Sequence, residues 1–391
     1  MIAYLTDVEG RWDKLVSFTS DNPAVALVDG ELRLSDGVTF VFGGDAVDRG
    51  PHARRIVSLL VNAKRKYAER VVLLAGNRDI NKTRLVTELG GKPHHRAPPL
   101  SSRVELLKWT FANTMGAAHA FEHRKAELND TGAASDDEAV VESTLTDLAP
   151  GGELRAYLSV SQLGFRAGAT VFVHGGITAQ NFLQLPNTTA ARDVDGWLAG
   201  LNAFYAEELQ RFEHGHRPDA LIKYQSQGPD KLNQGSVVYA RPTDEHGNPQ
   251  LPPRSVVEAL LANGVRRVVV GHTPSGDCPA LLRDGSFELV LADNSYGRLE
   301  HGSQVLLTDE ATQVRALTKL DDGAETKVDF TLARDDASPL GLRDAETRQL
   351  VKARLADGRY LLFRGLPNYV VEQVSASAEV LARQRLESPR V

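Results

Sequence analysis

A recurring order of segments constrains the fold most: a short apolar run, a glycine-containing polar loop, and a stretch with helical periodicity. Residues 40–42 are apolar and lead into the loop Gly43-Gly44-Asp45-Ala46-Val47-Asp48-Arg49-Gly50. The apolar run predicts a buried strand, and the two glycines predict a sharp turn at its carboxyl end. Residues 52–67 then carry apolar side chains at the spacing of an amphipathic helix. The same order at 2–18 and 71–89 predicts an α/β (α+β) protein whose sheet carries polar residues along one edge.

The length of 391 residues exceeds what one simple hydrophobic core usually supports. We expect a main domain over residues 1–310, interrupted by helical insertions at about 92–164 and 180–255. Apolar runs typical of strands follow each insertion and return the chain to the main domain. Residues 311–391 are expected to form a C-terminal extension, to which the sequence assigns no role.

Three local patterns predict particular elements. The dipeptide Asp36-Gly37 predicts a hairpin that pairs residues 32–34 with residues 38–42. Helical periodicity predicts one long helix over residues 104–128. A similar pattern predicts a helical stretch over residues 344–355.

Charge and cysteine content exclude several classes of protein. The net charge of −6 gives no electrostatic footprint for nucleic acid or for an anionic membrane surface. No apolar run approaches the roughly 20 residues needed to span a bilayer. Cys278 is the only cysteine, which excludes an intrachain disulfide, and the chain opens with a strand pattern in place of a signal peptide. We expect a cytoplasmic protein, and the sequence leaves its oligomeric state open.

Acidic residues at two predicted strand ends suggest a site for cations. Asp7 and Glu9 are two residues apart, so in extended geometry both carboxylates face one way and can reach one cation. Asp45, Asp48 and Arg49 combine two carboxylates with a guanidinium, which suits a site for cations and a phosphate group. Each pattern also has a structural explanation, a helix N-cap at Asp7 and a polar turn in the second segment. Taken singly, neither pattern decides between the two explanations.

The polar strand ends together form a larger set of motifs. In chain order they are Asp7-Val8-Glu9-Gly10, Gly44 to Gly50, Gly76-Asn77-Arg78-Asp79, His174-Gly175-Gly176 and Gly271-His272-Thr273-Pro274. In the same order, these segments match the motifs D-x-H-G, G-D-x-x-D-R-G, G-N-H-E/D, H-G-G and G-H-T-P, with differences at Glu9 and Arg78. This ordered set resembles the calcineurin-like metallophosphoesterase superfamily. Within the superfamily it resembles the branch of phosphoprotein phosphatases and bis(5'-nucleosyl)-tetraphosphatases.

The resemblance implies a two-sheet β-sandwich flanked by helices, with two divalent metal ions that act on a small phosphorylated substrate. The ligands that it implies are Asp7, Glu9 and Asp45 for the first ion, and Asp45, Asn77, His174 and His272 for the second. Asp45 would bridge the ions, which lie about 3.5–4 Å apart in such sites and generate a hydroxide that attacks phosphorus. Arg49 would hold the phosphate oxygens through charge-assisted hydrogen bonds.

The first departure from the family pattern is Glu9, which stands where the family has histidine. With this change the first ion would receive only oxygen donors from the protein. Oxygen donors favour Mn or Mg over a softer, nitrogen-preferring ion such as Zn. We therefore expect two divalent ions and favour Mn, with Mg, Fe and Zn as alternatives.

The second departure is Arg78, which replaces the histidine that is thought to protonate the leaving group in this family. Arginine stays charged near neutral pH and cannot act as an acid, so Asp48 would orient Arg78, and the pair would bind phosphate or stabilise the leaving oxygen. Losing a general acid typically costs about 10²–10⁴-fold in rate, which a good leaving group tolerates best. We therefore expect a nucleotide or another small phosphorylated metabolite as substrate. A Ser/Thr protein phosphatase and a catalytically silent binding protein of the same fold are the alternatives.

Overall fold

The computed structural model describes residues 1–391 except 187–189, 229–231, 246, 296–299, 335, 367–369 and 391. The helices are α1 (Trp12–Thr19), α2 (Ala53–Lys66), α3 (Asn77–Asn81), α4 (Arg84–Leu89), α5 (Arg103–Thr114), α6 (Ala120–Asp130), α7 (Asp137–Leu148), α8 (Glu153–Ser159), α9 (Val194–Glu213), α10 (Asp219–Tyr224), α11 (Arg254–Ala262) and α12 (Ala378–Leu381). None of the helices in the described residues is both long and apolar enough to cross a membrane.

The strands run through the whole chain. They are β1 (Ile2–Leu5), β2 (Val25–Val28), β3 (Glu31–Leu34), β4 (Thr39–Phe42), β5 (Val71–Leu73), β6 (Gly164–Ala167), β7 (Thr170–Val173), β8 (Arg267–Pro274), β9 (Ala280–Asp284), β10 (Phe287–Asp293), β11 (Gln304–Leu307), β12 (Ala311–Lys319), β13 (Glu325–Ala333), β14 (Arg343–Asp344), β15 (Leu350–Arg354), β16 (Tyr360–Leu366), β17 (Val370–Ala376) and β18 (Leu386–Glu387).

Two mixed sheets pack face to face. The first has the strand order β13-β12-β11-β1-β4-β5 and the second the order β6-β7-β8-β10-β9. Between them, Tyr4 and Phe172 stack with ring centroids 5.7 Å apart, in a core that also contains Val41 and Val269. The residues that alternate with these along the strands point to the helical layers. The predicted two-sheet sandwich flanked by helices is confirmed.

Parallel pairing determines where the polar loops lie. In the first sheet β1 pairs with β4 and β4 with β5, all in parallel. In the second sheet β7 pairs with β8 and β8 with β10, again in parallel. Because parallel strands end at the same edge, the loops after these strands meet at one rim of the sandwich.

The prediction of a hairpin around Asp36-Gly37 is wrong. β3 pairs antiparallel with β2 in a separate ribbon, whereas β4 joins β1 in the first sheet. The burial patterns explain the difference. β3 alternates between exposed and buried residues, but Phe40 to Phe42 are all buried, as expected for an internal strand of a parallel sheet.

Two helix predictions also need correction. The helix predicted over residues 104–128 is broken into α5 and α6, because Gly116 between them adopts a left-handed backbone with φ of 61°. The helical stretch predicted over residues 344–355 is instead the end of β14 followed by β15. Leu350 and Val351 pair with β16 in a third sheet of order β17-β16-β15-β14-β18, so tertiary pairing overrides the local pattern.

The C-terminal part of the chain divides between two sheets. β12 and β13 extend the first sheet, with β12 paired to β11. The later strands form the third sheet. Hydrogen bonding therefore continues across residue 310, the predicted end of the main domain, and the division into domains stays a prediction.

Candidate metal and phosphate site

Strained backbone marks the loops at the common rim of the sheets. Asp7, Glu9, Asp45 and His272 all have left-handed conformations, with φ between 50° and 57°. Such a conformation costs about 1–3 kcal/mol for a residue other than glycine and recurs at functional sites. Backbone hydrogen bonds hold two of the loops together, because the amide of Asp7 donates to Gly44 O and that of Glu9 donates to Asp45 O, both at 2.9 Å.

Glycines allow these loops to approach each other closely. A Cβ atom on Gly76 would overlap the Asp45 carboxylate, and one on Gly271 would overlap the Asp7 carboxylate. Side chains other than hydrogen are therefore excluded at both positions. The glycines that accompany each candidate ligand in the sequence thus have a steric reason.

The structure brings the predicted ligands into two groups that share one carboxylate. The first group is Asp7, Glu9 and Asp45, and the second is Asp45, His174 and His272. Within each group, one donor atom from every residue lies within 4.8 Å of the others, and all of these residues are buried. Asp45 is common to both groups, which is the position that the sequence predicted for a bridging ligand.

His174 is oriented by its backbone partner and faces two oxygen atoms. Its Nδ1 lies 2.8 Å from Gly43 O, while Nε2 lies 3.3 Å from Asp45 Oδ1 and 3.2 Å from Asn77 Oδ1. When Nδ1–H donates to Gly43, the Nε2 lone pair points at these oxygen atoms, an arrangement that a shared cation stabilises. Burial opposes charging of the ring, but Asp45 outweighs it and raises the pKa of His174 to about 10. The predicted ligand Asn77 thus lies at the second group.

His272 completes the second group from the neighbouring strand. Its ring centroid is 5.3 Å from that of His174 and 4.9 Å from that of Tyr239. Arg241 donates from Nε to His272 Nε2 at 3.3 Å. Burial, followed by the charge of Arg241, lowers the pKa of His272 well below its usual value, so its ring is held neutral. Arg241 and Tyr239 belong to the second insertion, and no sequence motif identified them.

Glu9 forms ion pairs with the two arginines that were predicted to bind phosphate. Its Oε1 lies 2.8 Å from Arg78 Nε, and its Oε2 lies 3.0 Å from Arg49 Nε. Arg78 Nε is also 3.5 Å from Asp45, so its guanidinium borders the first group. Burial raises the pKa of Glu9 to about 7, although both arginines act in the opposite direction.

Asp48 has two cationic partners. Arg78 Nη1 lies 3.3 Å from Asp48 Oδ2, in line with the predicted pairing of these residues. Lys82 Nζ lies 2.7 Å from Asp48 Oδ1 and is 6% exposed as a side chain. Sequence reasoning missed Lys82. Its signal was the spacing of four residues from Arg78 in a helical segment, which puts both side chains on one face.

Asp79 holds the loops after β4 and β5 together. Its two carboxylate oxygens accept hydrogen bonds from the amides of Asp45, Ala46 and Gly76, each at 2.9 Å. Burial and the neighbouring Asp45 raise the pKa of Asp79 to about 7. This residue closes the G-N-R-D motif, and its contacts give it a positioning role.

Two further buried charges lie behind the first group. Lys14 Nζ donates to Asp7 O at 2.7 Å, and Asp293 ends β10 at the same rim. Burial, followed by the charge of Asp293, raises the pKa of Asp7 well above its usual value. Neither residue was predicted. Asp293 follows an apolar strand like the predicted ligands, and that position was its signal.

The first insertion contacts the residues around Asp48. Arg78 Nη1 donates to Gly116 O at 3.5 Å, and His123 Nδ1 lies 3.4 Å from Asp48 O. Beside Asp48 and Lys82, a pocket of about 600 Å³, part of it open to solvent, extends between α2 and the helices of the insertion. Both insertions therefore reach the candidate site.

The family model for calcineurin-like phosphoesterases matches residues 1–276. The chain belongs to this family. The resemblance inferred from the motifs is confirmed, and the chain is a phosphohydrolase with residue groups that could hold metal. No curated protein matches the chain.

Solved structures of phosphatases resemble the fold at low sequence identity. A cold-active protein-tyrosine phosphatase of Shewanella sp. is 16% identical, with a TM-score of 0.47, over 83% of this chain and 79% of that chain. A protein serine/threonine phosphatase from Saccharomyces cerevisiae is 13% identical, with a TM-score of 0.37, over 86% of this chain and 81% of that chain.

Proposed function

We propose that the protein hydrolyses a phosphate ester or anhydride of a small phosphorylated metabolite or nucleotide with the help of two divalent metal ions. The observation that carries the proposal is the shared position of Asp45 between two buried groups of candidate ligands. One carboxylate common to two adjacent groups is what a pair of ions requires. Burying so many acidic side chains together also requires compensating positive charge.

The two groups offer different donor atoms and therefore favour different ranges of metal ions. The second group offers two imidazoles, a carboxylate and the amide oxygen of Asn77, which suits a range of divalent transition metals. The first group offers carboxylates alone, which favours Mn or Mg. Bound ions would supply Lewis acidity, which polarises a phosphoryl oxygen and lowers the pKa of water. We favour Mn at both groups.

Arg49 and Arg78 are assigned to phosphate binding. Their side chains are 21% and 11% exposed, whereas that of Glu9 beneath them is 2% exposed. Glu9 orients both guanidinium groups through Nε, so the two arginines lie at the outer side of the acidic groups. Planar guanidinium groups in this position bind phosphoryl oxygens through charge-assisted hydrogen bonds and offset negative charge that develops during the reaction.

The fixed charge of Arg78 limits the choice of leaving group. Asp48 orients Arg78, and this pair stabilises the departing oxygen by charge without giving it a proton. Phosphoanhydrides and activated esters need little protonation, whereas alkyl esters such as phosphoserine depend on it. The two insertions border the site at Gly116, His123 and Arg241, and we assign substrate selection to them.

Turnover of p-nitrophenyl phosphate and of a dinucleoside polyphosphate with Mn tests the proposal, with a phosphoserine peptide as the comparison. We expect hydrolysis of the first two, abolished in Asp45→Asn and retained in Asp195→Asn, whose carboxylate is 73% exposed on the surface. Faster hydrolysis of the peptide would replace the proposal with a protein phosphatase. Absence of turnover with Mn, Mg, Fe and Zn, together with no bound metal by mass spectrometry, would leave a silent binding protein.

A further inference from the structure

A second charged pocket lies at the opposite end of the second sheet. This pocket lies between β8, the turn that joins β9 to β10, and the end of β13. Its volume is about 370 Å³, which includes the part open to solvent. Arg267 begins β8 and lines this pocket, whereas the candidate ligand His272 lies five residues further along the strand. At about 3.3 Å per residue, the two positions are roughly 16 Å apart. The pocket is therefore separate from the candidate metal site.

The charged residues that line this pocket are mostly arginines. They are Arg266, Arg267, Arg283, Arg334 and a single carboxylate, Glu288. Glu288 pairs with Arg267 Nε at 2.6 Å, so it neutralises one of the four guanidinium groups. The lining carries an excess of positive charge, although the chain as a whole has a net charge of −6. A concave site with uncompensated charge of one sign concentrates ions of the opposite sign.

Two of the other arginines, Arg283 and Arg334, have neutral partners. Arg283 donates from Nε to Leu340 O and from Nη1 to Asp336 O, both at 2.7 Å, and Arg334 donates to Asp309 O. Carbonyl groups satisfy the hydrogen bonds without cancelling the charge. Burial lowers the pKa of Arg283, although the carboxylates of Asp336 and Glu288 act in the opposite direction.

Arg266 and Arg334 form fewer side-chain hydrogen bonds in the described residues than Arg267 and Arg283 do. Arg283 anchors the loop after β13, and Arg267 joins strands through Glu288. Arg266 is exposed, and neither it nor Arg334 forms a salt bridge with a carboxylate in the part of the chain that the structure describes. Two guanidinium groups without an acidic partner, beside two that are anchored, provide positive charge and hydrogen-bond donors for an anion.

We propose that this pocket binds a phosphate dianion, either inorganic phosphate or the phosphate group of a small phosphorylated molecule. The planar guanidinium groups match the geometry of phosphate oxygens. Gly285 and Ser286, in the turn between β9 and β10, complete the lining on one side. The proposal concerns binding alone and is independent of the hydrolytic function.

Crystals of the metal-free protein soaked in tungstate, a heavy analogue of phosphate, locate the site directly. We expect an anomalous peak between Arg266, Arg267 and Arg334, whatever else binds near Arg49. The double variant Arg266→Ala/Arg334→Ala removes the two unpaired charges without removing the anchors Arg267 and Arg283. In this variant the peak at the pocket should disappear, and persistence at equal height would overturn the proposal.

Calorimetric titration of the metal-free protein at low ionic strength measures the affinity. Inorganic phosphate and ribose 5-phosphate are the two probes, and the tighter one identifies the source of the dianion. We expect binding at the pocket to weaken at least tenfold in the double variant. The control Arg254→Ala removes an exposed arginine on α11, where it pairs with Glu258, and should leave binding unchanged. Equal affinities of the double variant and the wild type for both probes would contradict the proposal, even if hydrolysis at the metal site were established.

Discussion

Replacing Arg78 with glutamine should tighten the binding of a metal ion at the first group of candidate ligands, Asp7, Glu9 and Asp45. Arg78 Nε is 2.8 Å from Glu9 and 3.5 Å from Asp45, so its charge neutralises two ligands of the first group. Metal–oxygen bonds of about 2.1 Å would put an ion on Glu9 within about 5 Å of the guanidinium. The repulsion between a dication and this charge is about 1.7–6.6 kcal/mol for effective dielectric constants between about 80 and about 20. Even the lower value corresponds to about 15-fold in affinity.

Manganese titrations of the metal-free protein, followed by calorimetry or by electron paramagnetic resonance of free Mn, measure this effect. We expect the Kd of the ion at Asp7, Glu9 and Asp45 to fall by at least about 15-fold in Arg78→Gln, with a smaller change for the ion at His174 and His272. Arg166→Gln is the control, because Arg166 pairs with an exposed carboxylate on the surface, at a distance of 3.1 Å. An unchanged or larger Kd in Arg78→Gln would refute the reasoning that Arg78 competes with metal for Glu9 and Asp45.

Two further variants test the neighbouring contacts. Lys82→Met should lower the free energy of unfolding by about 3 kcal/mol in urea titrations, because it leaves the buried Asp48 with Arg78 as its remaining cationic partner. A loss below about 1 kcal/mol would contradict the importance of the pair between Lys82 and Asp48. Arg49→Lys keeps the charge but loses the planar fork, so we expect KM to rise about tenfold while Mn affinity stays constant. A parallel loss of Mn affinity would instead assign Arg49 to the support of the metal ligands.

The candidate ligands could be located from sequence because each lies at or just after the carboxyl end of a strand that has a parallel neighbour. Apolar runs identified the strands before Asp7, Asp45, Asn77, His174 and His272, and parallel strands deliver their carboxyl ends to one rim. The position of these strand ends depends on strand pairing and does not depend on the helices. The prediction of one helix over residues 104–128 was wrong, but it did not affect the expected position of the candidate ligands.

The partners of these ligands could not be predicted, because they depend on contacts between loops that are distant in sequence. Arg78 and Glu9 are 69 positions apart, and nothing local to either one indicates that they form an ion pair. Arg241 reaches His272 from an insertion that carries no recognisable motif. The hairpin at Asp36-Gly37 failed for the same reason, since burial in the parallel sheet decided the partner of β4.

The two departures from the family motifs compensate each other in space. A histidine at position 9 would leave Arg49 and Arg78 beside one another without the carboxylate that now separates and orients them. A histidine at position 78 would leave Glu9 as an additional buried acid in a group that already contains Asp7 and Asp45. Each change alone removes one partner from a buried ion pair, whereas the two together keep both arginines paired with Glu9. We therefore expect metal affinity and leaving-group preference to be coupled in this protein, because Arg78 cannot supply a proton and also neutralises the first group of candidate ligands.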